Sequence, residues 1–280
     1  MKKILVPTDF SGFAQSALEV AADIAFKTNA EIMLLHANEK MVTATPLAEY
    51  YLYDKAIEDE YLDMVTESLK KTLAEIAENG KFSRVKVKTA VIGGPMVSVI
   101  EDFVKDHAID LVVMGTRGVS GMEEIIVGSN TEKVIRRVKC PVLAVPSPAV
   151  SFGKIVFPTT LKESQLPAFK AFAALQKIFS GEVSLLYIND PGNFKNTAAM
   201  EAQKDFLVKE SGLKNATLFV SDTEVFNEED AILDFAHQNH ADLIVMGTHQ
   251  RRGLAHFFMG SMTEDTVNHS DIPVLSLSIK

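Results

Sequence analysis

Along the chain, short apolar runs rich in β-branched residues alternate with longer stretches whose apolar positions recur at helical spacing. The runs predict strands near 2–7, 31–37, 84–92, 109–114 and 141–146, and the stretches between them predict helices near 11–27, 47–79, 95–107 and 128–138. Runs such as LVVM at 111–114 are apolar throughout, as expected of a parallel sheet covered by helices. Pro95, after Gly93 and Gly94, suits the first turn of a helix, where no amide donor is lost.

The pattern then starts again. KILVPTD at 3–9 returns as KIVFPTT at 154–160, an offset of 151 residues (Ile4 to Ile155), and DLVVMGT at 110–116 returns as DLIVMGT at 242–248, an offset of 132 (Gly115 to Gly247). GSNTE at 128–132 and CPVLAV at 140–145 return at the shorter offset as GSMTE at 260–264 and IPVLSL at 272–277. LLH at 34–36 still matches LLY at 185–187 at the longer offset, so the second copy lacks 19 residues (151 less 132) between that point and IEDF at 100–103. Self-similarity over nearly the whole chain means two copies of one unit. Pro, Ser and Gly cluster in PSPAVSFG at 146–153, which sets the expected domains at 1–147 and 153–280. The expected fold class is therefore α/β: two tandem open, parallel-sheet domains of five strands each, Rossmann-like, with helices on both faces.

In open sheets of this kind a ligand binds beyond the carboxyl ends of the strands, at the switch in strand order. Asp9, Ala37 and Gly115 stand at those ends. GTRGVSGMEEIIVGSN at 115–130 follows the fourth strand with Gly115, Gly118 and Gly128, which let backbone amides approach a ligand with no Cβ in the way. Gly128-Ser129 opens the next helix, whose unpaired N–H groups favour phosphate. No glycine-rich run ending in Gly-Lys-Ser or Gly-Lys-Thr occurs, and no strand-following G-x-G-x-x-G, so any nucleotide is held in another mode.

Composition narrows the partners. The 280 residues are 47% hydrophobic, enough for a sizeable core, and 28 Lys and Arg against 37 Asp and Glu give a net charge of −9, which weighs against nucleic acid. A single cysteine, Cys140, implies a reducing compartment, and the start MKKILVPTDF is broken by Pro7 and Asp9 too early for a signal sequence or a membrane span. A cytoplasmic protein with neither a nucleic-acid nor a membrane partner is expected.

PTDF after the first strand, with G-x2-G-x9-G-S read as Gly115, Gly118, Gly128 and Ser129, resembles the universal stress protein family, in its tandem form. The resemblance to its ATP-binding branch implies an adenine nucleotide, ATP with or without Mg²⁺. It places Pro7, Thr8 and Asp9 near the adenosine part, Ala37 beside the base, and Gly115, Gly118, Gly128 and Ser129 around ribose and phosphates, flanked by Met114, Arg117 and Asn130. It also implies strand-mediated pairing through the last strand of each copy, internally here, with a homodimer of whole chains left open. The second copy carries Ile188, Gly247, Gly260 and Ser261 at matching positions, but Thr160 replaces Asp9 and Gln250 replaces Gly118. A lost hydrogen bond to a charged group costs about 1.5–3 kcal/mol, and a side chain in left-handed backbone about 1–2 kcal/mol. Together these make the second site about a hundredfold weaker or worse. In the opposite direction, the first loop carries Glu123 and Glu124 where the second has Arg251, Arg252 and His256.

Several residues have plainer explanations. Ser129 with Glu132, and Ser261 with Glu264, read equally as S-x-x-E capping boxes, and Asp9 also suits a turn or cap. Cys140 reads as a small buried residue, and His237 with His240 lacks a third metal ligand. The segment at about 40–62, missing from the second copy, holds Tyr50, Tyr51, Tyr53 and Tyr61, and either extends a helix over its own domain, covers the first site or forms an oligomer contact. The leading function is ATP-dependent regulation in a stress response. A slow ATPase or self-phosphorylating enzyme is disfavoured because the motif supplies no lysine clamp or evident base, and a nucleotide-free scaffold is the third reading.

Overall fold

The computed structural model of the chain describes residues 1–39, 48–80, 82–116, 129–146, 151–189, 196–221, 228–249, 266–267 and 270–279. In the first half β1 (Lys3–Pro7), β2 (Glu31–Asn38), β3 (Lys86–Gly93), β4 (Leu111–Gly115) and β5 (Val142–Val145) alternate with α1 (Gly12–Thr28), α2 (Ala48–Glu78), α3 (Met96–His107) and α4 (Ser129–Arg137). The second half supplies β6 (Lys154–Pro158), β7 (Glu182–Ile188), β8 (Ala216–Ser221), β9 (Leu243–His249) and β10 (Val274–Ile279), with α5 (Leu166–Leu175), α6 (Thr197–Ser211) and α7 (Glu228–Gln238). Every element predicted for the first half is present within about two residues of its expected place. One detail differs: Pro95 is the N-cap of α3 rather than part of its first turn, and its carbonyl accepts from Val99 N at 3.0 Å.

The halves do not form separate sheets. Ten strands make one sheet in the order β3-β2-β1-β4-β5-β10-β9-β6-β7-β8. All neighbours are parallel except β5 and β10, which pair antiparallel as Val274↔Ala144, Leu275↔Leu143 and Ser276↔Val142. Leu143 therefore faces its own repeat equivalent, and the flanking pairs exchange across it, the signature of a two-fold interface between like units. The pairing through last strands implied by the resemblance is thus made within the chain, and among the described residues β3 and β8 are the edge strands of the sheet.

Alternate residues of each strand feed two cores. Ile4, Val6, Leu34, Leu111 and Val113 pack under α1 and α2, and Ile155, Phe157, Leu185 and Leu243 under α5 and α6. Leu5, Leu35, Val112, Met114, Val156 and Ile244 pack on the opposite face with α3, α4 and α7. Both cores run unbroken across the seam, which explains why strand after strand is apolar on both faces. Among the described residues no helix is long and apolar enough to cross a membrane.

Candidate functional site

The sheet opens at its switch points. β1 follows β2 to Pro7↔Leu35, and β4 follows β5 to Gly115↔Val145, but β1 and β4 pair only at Ile4↔Leu111 and Leu5↔Val112. Past Leu5 and Val112 the two strands part, leaving a crevice at their carboxyl ends. β6 and β9 part in the same way after Val156↔Ile244. Nucleotides bind in such a crevice in open α/β sheets.

One wall is the turn from β1 into α1. Pro7 is buried, and Thr8 donates its N–H to Leu35 O at 2.8 Å. Thr8 Oγ1 accepts from Phe10 N at 3.0 Å, and Asp9 Oδ1 accepts from Ser11 N at 3.0 Å. Phe10 takes φ 64°, a conformation unusual for an aromatic residue and enforced by these bonds. Ser11 then caps α1 by accepting from Ala14 N. The turn role foreseen for Asp9 is real, and its carboxylate is exposed.

The other wall is the end of β4. Met114 is buried, and a Cβ on Gly115 would lie 2.8 Å from Phe13 carbonyl carbon and oxygen, so this glycine admits α1. Thr131 Oγ1 donates to Gly115 O at 3.2 Å, pinning the start of α4 to the strand end, with Asn130 half-buried beside it. Thr116 is 3% exposed, and among the described residues its hydroxyl has no hydrogen-bond partner. Ala37, half-buried, is the penultimate residue of the neighbouring β2. Ser129 begins α4, while Arg117, Gly118 and Gly128 lie outside the described residues, as do Gly260 and Ser261.

The second half repeats the backbone but not the chemistry. Leu161, the counterpart of Phe10, also has positive φ (56°), and its N–H donates to Thr159 Oγ1 at 3.0 Å. Gln165, 8% exposed, reaches back into this turn: its Oε1 accepts from the Thr159 hydroxyl at 2.6 Å and from Thr160 N at 2.9 Å. Its repeat counterpart is Ala14, which has no side-chain acceptor to offer. Thr248, the counterpart of Thr116, donates to Leu277 O at 3.1 Å. Ile188 ends β7 and Gly247 lies within β9, at the positions of Ala37 and Gly115.

The profile of the universal stress protein family matches residues 1–146 and again 151–277. The chain belongs to this family. Universal stress protein YxiE of Bacillus subtilis (strain 168) is 31% identical over 51% of this chain and 97% of its own length. Universal stress protein Slr1230 of Synechocystis sp. (strain ATCC 27184 / PCC 6803 / Kazusa) is 22% identical with 99% of each chain covered, matching the tandem arrangement. Among solved structures, a universal stress protein from Archaeoglobus fulgidus DSM 4304 shares the fold with a TM-score of 0.74 at 20% identity, covering 99% of this chain and 98% of that one.

Cys140 is half-buried rather than fully buried as expected, and loss of water around it still pushes the thiol up to about 12, which removes the thiolate needed of a nucleophile at neutral pH. His237 Nε2 lies 3.2 Å from Asp271 Oδ1, and His240 takes left-handed backbone just past α7. Of the tyrosine-rich segment, residues 40–47 and the side chains of 48–58 lie outside the described residues, but Tyr61 is described and packs against the core. Sequence reasoning missed His36 and Gln165, and named Tyr61 only as one of four tyrosines in the segment absent from the second copy. The signal available was a histidine inside an apolar strand, and a glutamine where the other copy has alanine.

Proposed function

We propose that this protein binds an adenine nucleotide, ATP with or without Mg²⁺, in the crevice between β1 and β4, and that the nucleotide serves regulation in a stress response rather than turnover. The first half, expected at 1–147, carries the site, and the second, 153–280, is its structural counterpart. The observation that carries this reading is the contrast between the two crevices. In the second half Gln165 Oε1 accepts from the Thr159 hydroxyl and Leu277 O from the hydroxyl of Thr248, the counterpart of Thr116, while the buried Thr116 hydroxyl of the first has no partner among the described residues. A buried, unsatisfied hydroxyl at a strand end fits a polar ligand, because leaving it unpaired costs about 1–3 kcal/mol. The start of α4, held to Gly115, offers backbone amides and the positive end of a helix dipole to phosphates. Asp9, exposed on the facing turn, is suited to accept from ribose or base.

A nucleotide-free scaffold is the second reading, favoured by the local structural roles of Asp9 and Gly115. Calorimetric titration of the nucleotide-stripped full chain with Mg-ATP separates the two, with ADP, AMP and cAMP as competitors. One site per chain is expected, with affinity reduced roughly 10- to 100-fold by Asp9→Ala and unaltered by Thr160→Ala. Two sites, or indifference to Asp9→Ala, contradicts the assignment; no binding at all supports the scaffold.

A further inference from the structure

His36 is 8% exposed and is bonded from both sides of its ring. Nδ1 lies 2.9 Å from Thr8 O and Nε2 lies 2.8 Å from the Tyr61 hydroxyl, while Phe10 stacks on the ring with centroids 5.1 Å apart. A carbonyl only accepts, so Nδ1 carries the proton, and in the neutral imidazole Nε2 accepts from Tyr61. A continuous line of hydrogen bonds therefore runs from Tyr61 on α2, through His36 on β2, to the residue that orders the Asp9 turn. In the second half Tyr187 stands in place of His36, α6 has 15 residues against 31 in α2, and Gln165 holds the turn from within. The longer helix and the histidine occur together, in the half whose turn is not held by a glutamine.

We propose that Tyr61 and His36 are positioning residues through which α2 sets the geometry of the Asp9 turn, so that docking of α2 and binding of adenine nucleotide depend on each other. This inference rests on the nucleotide reading given above. Linkage makes the dependence reciprocal: whatever draws α2 away from His36 weakens the site, and nucleotide in the site tightens α2.

Tyr61→Phe tests it in the full chain, because the ring and its packing stay while the hydroxyl goes. ATP affinity is expected to fall about 2- to 10-fold, and the Phe10 and Ser11 amides to exchange faster without nucleotide. In the wild type ATP raises hydrogen-exchange protection across residues 61–78, and in Tyr61→Phe this response shrinks. In a His36→Phe background, Tyr61→Phe has no further effect. Wild-type affinity with an undiminished α2 response overturns the relay and leaves the nucleotide reading standing, and lowered stability with that response intact overturns it equally. Failure of the wild type to bind any adenine nucleotide overturns both.

Discussion

Gly115→Ala probes the junction between packing and binding. The added Cβ would sit 2.8 Å from the Phe13 carbonyl carbon and oxygen and 2.9 Å from Phe13 Cβ. Carbon atoms in good contact stand about 3.5–4.0 Å apart, so β4 or α1 must retreat by about 0.5–1 Å. The obstacle is backbone, not the tip of a flexible side chain, and α1 is capped by Ser11 and buried along Ala14, Ala17, Leu18, Ala21 and Ala25. Overpacking of this kind costs about 1–3 kcal/mol, and each kcal/mol lowers the Tm of a large domain by roughly 2–4 °C. Thermal and urea denaturation of the variant should show that loss. Because α1 continues directly from the Thr8–Ser11 turn, its retreat carries Asp9 with it, and ATP affinity should fall as well. A variant with wild-type stability but lost affinity would refute this reasoning and assign the glycine to the ligand alone.

Further expectations concern the seam, the second turn and the cysteine. Leu143→Ala removes a fully buried side chain opposite Leu275 and should cost about 2–5 kcal/mol in urea denaturation, destabilising both halves together. Gln165→Leu strips the acceptor from Thr159 and Thr160, and a loss of about 1–3 kcal/mol is expected with no gain of a second ATP site by calorimetry. Cys140 should resist alkylation at pH 8 in the native protein and react readily in urea. In the folded protein its pKa, about 12, lies above the ordinary thiol value of 9.0, so its contribution to stability is complete below pH 9 and is lost as pH rises through 12.

The fold was legible in the sequence because buried parallel strands write themselves as unbroken apolar runs, and because two copies of the pattern confirm each other. Leu111, Val112 and Val113 have nowhere to be but a covered sheet. The crevice was legible in outline from Asp9, Ala37 and Gly115, since strand ends and glycines are local features. What escaped depends on contacts between distant positions. His36 meets Tyr61 only because α2 folds back over β2, and nothing in LLH announces that partner. The plug formed by Gln165 required knowing that the turn curls over its own helix start. The positive φ of Phe10 ran against its residue type, a bulky side chain held there by Thr8 and by stacking on His36.

The antiparallel seam also bears on inheritance. Two identical chains meeting about a dyad must carry every substitution twice, so a change that closes one pocket closes its twin. With both copies in a single chain, Leu143 still meets Leu275, yet the halves are encoded separately and drift apart one residue at a time. Thr160 and Gln165 stand in one half opposite Asp9 and Ala14 in the other, an asymmetry that a true homodimer has no means to encode.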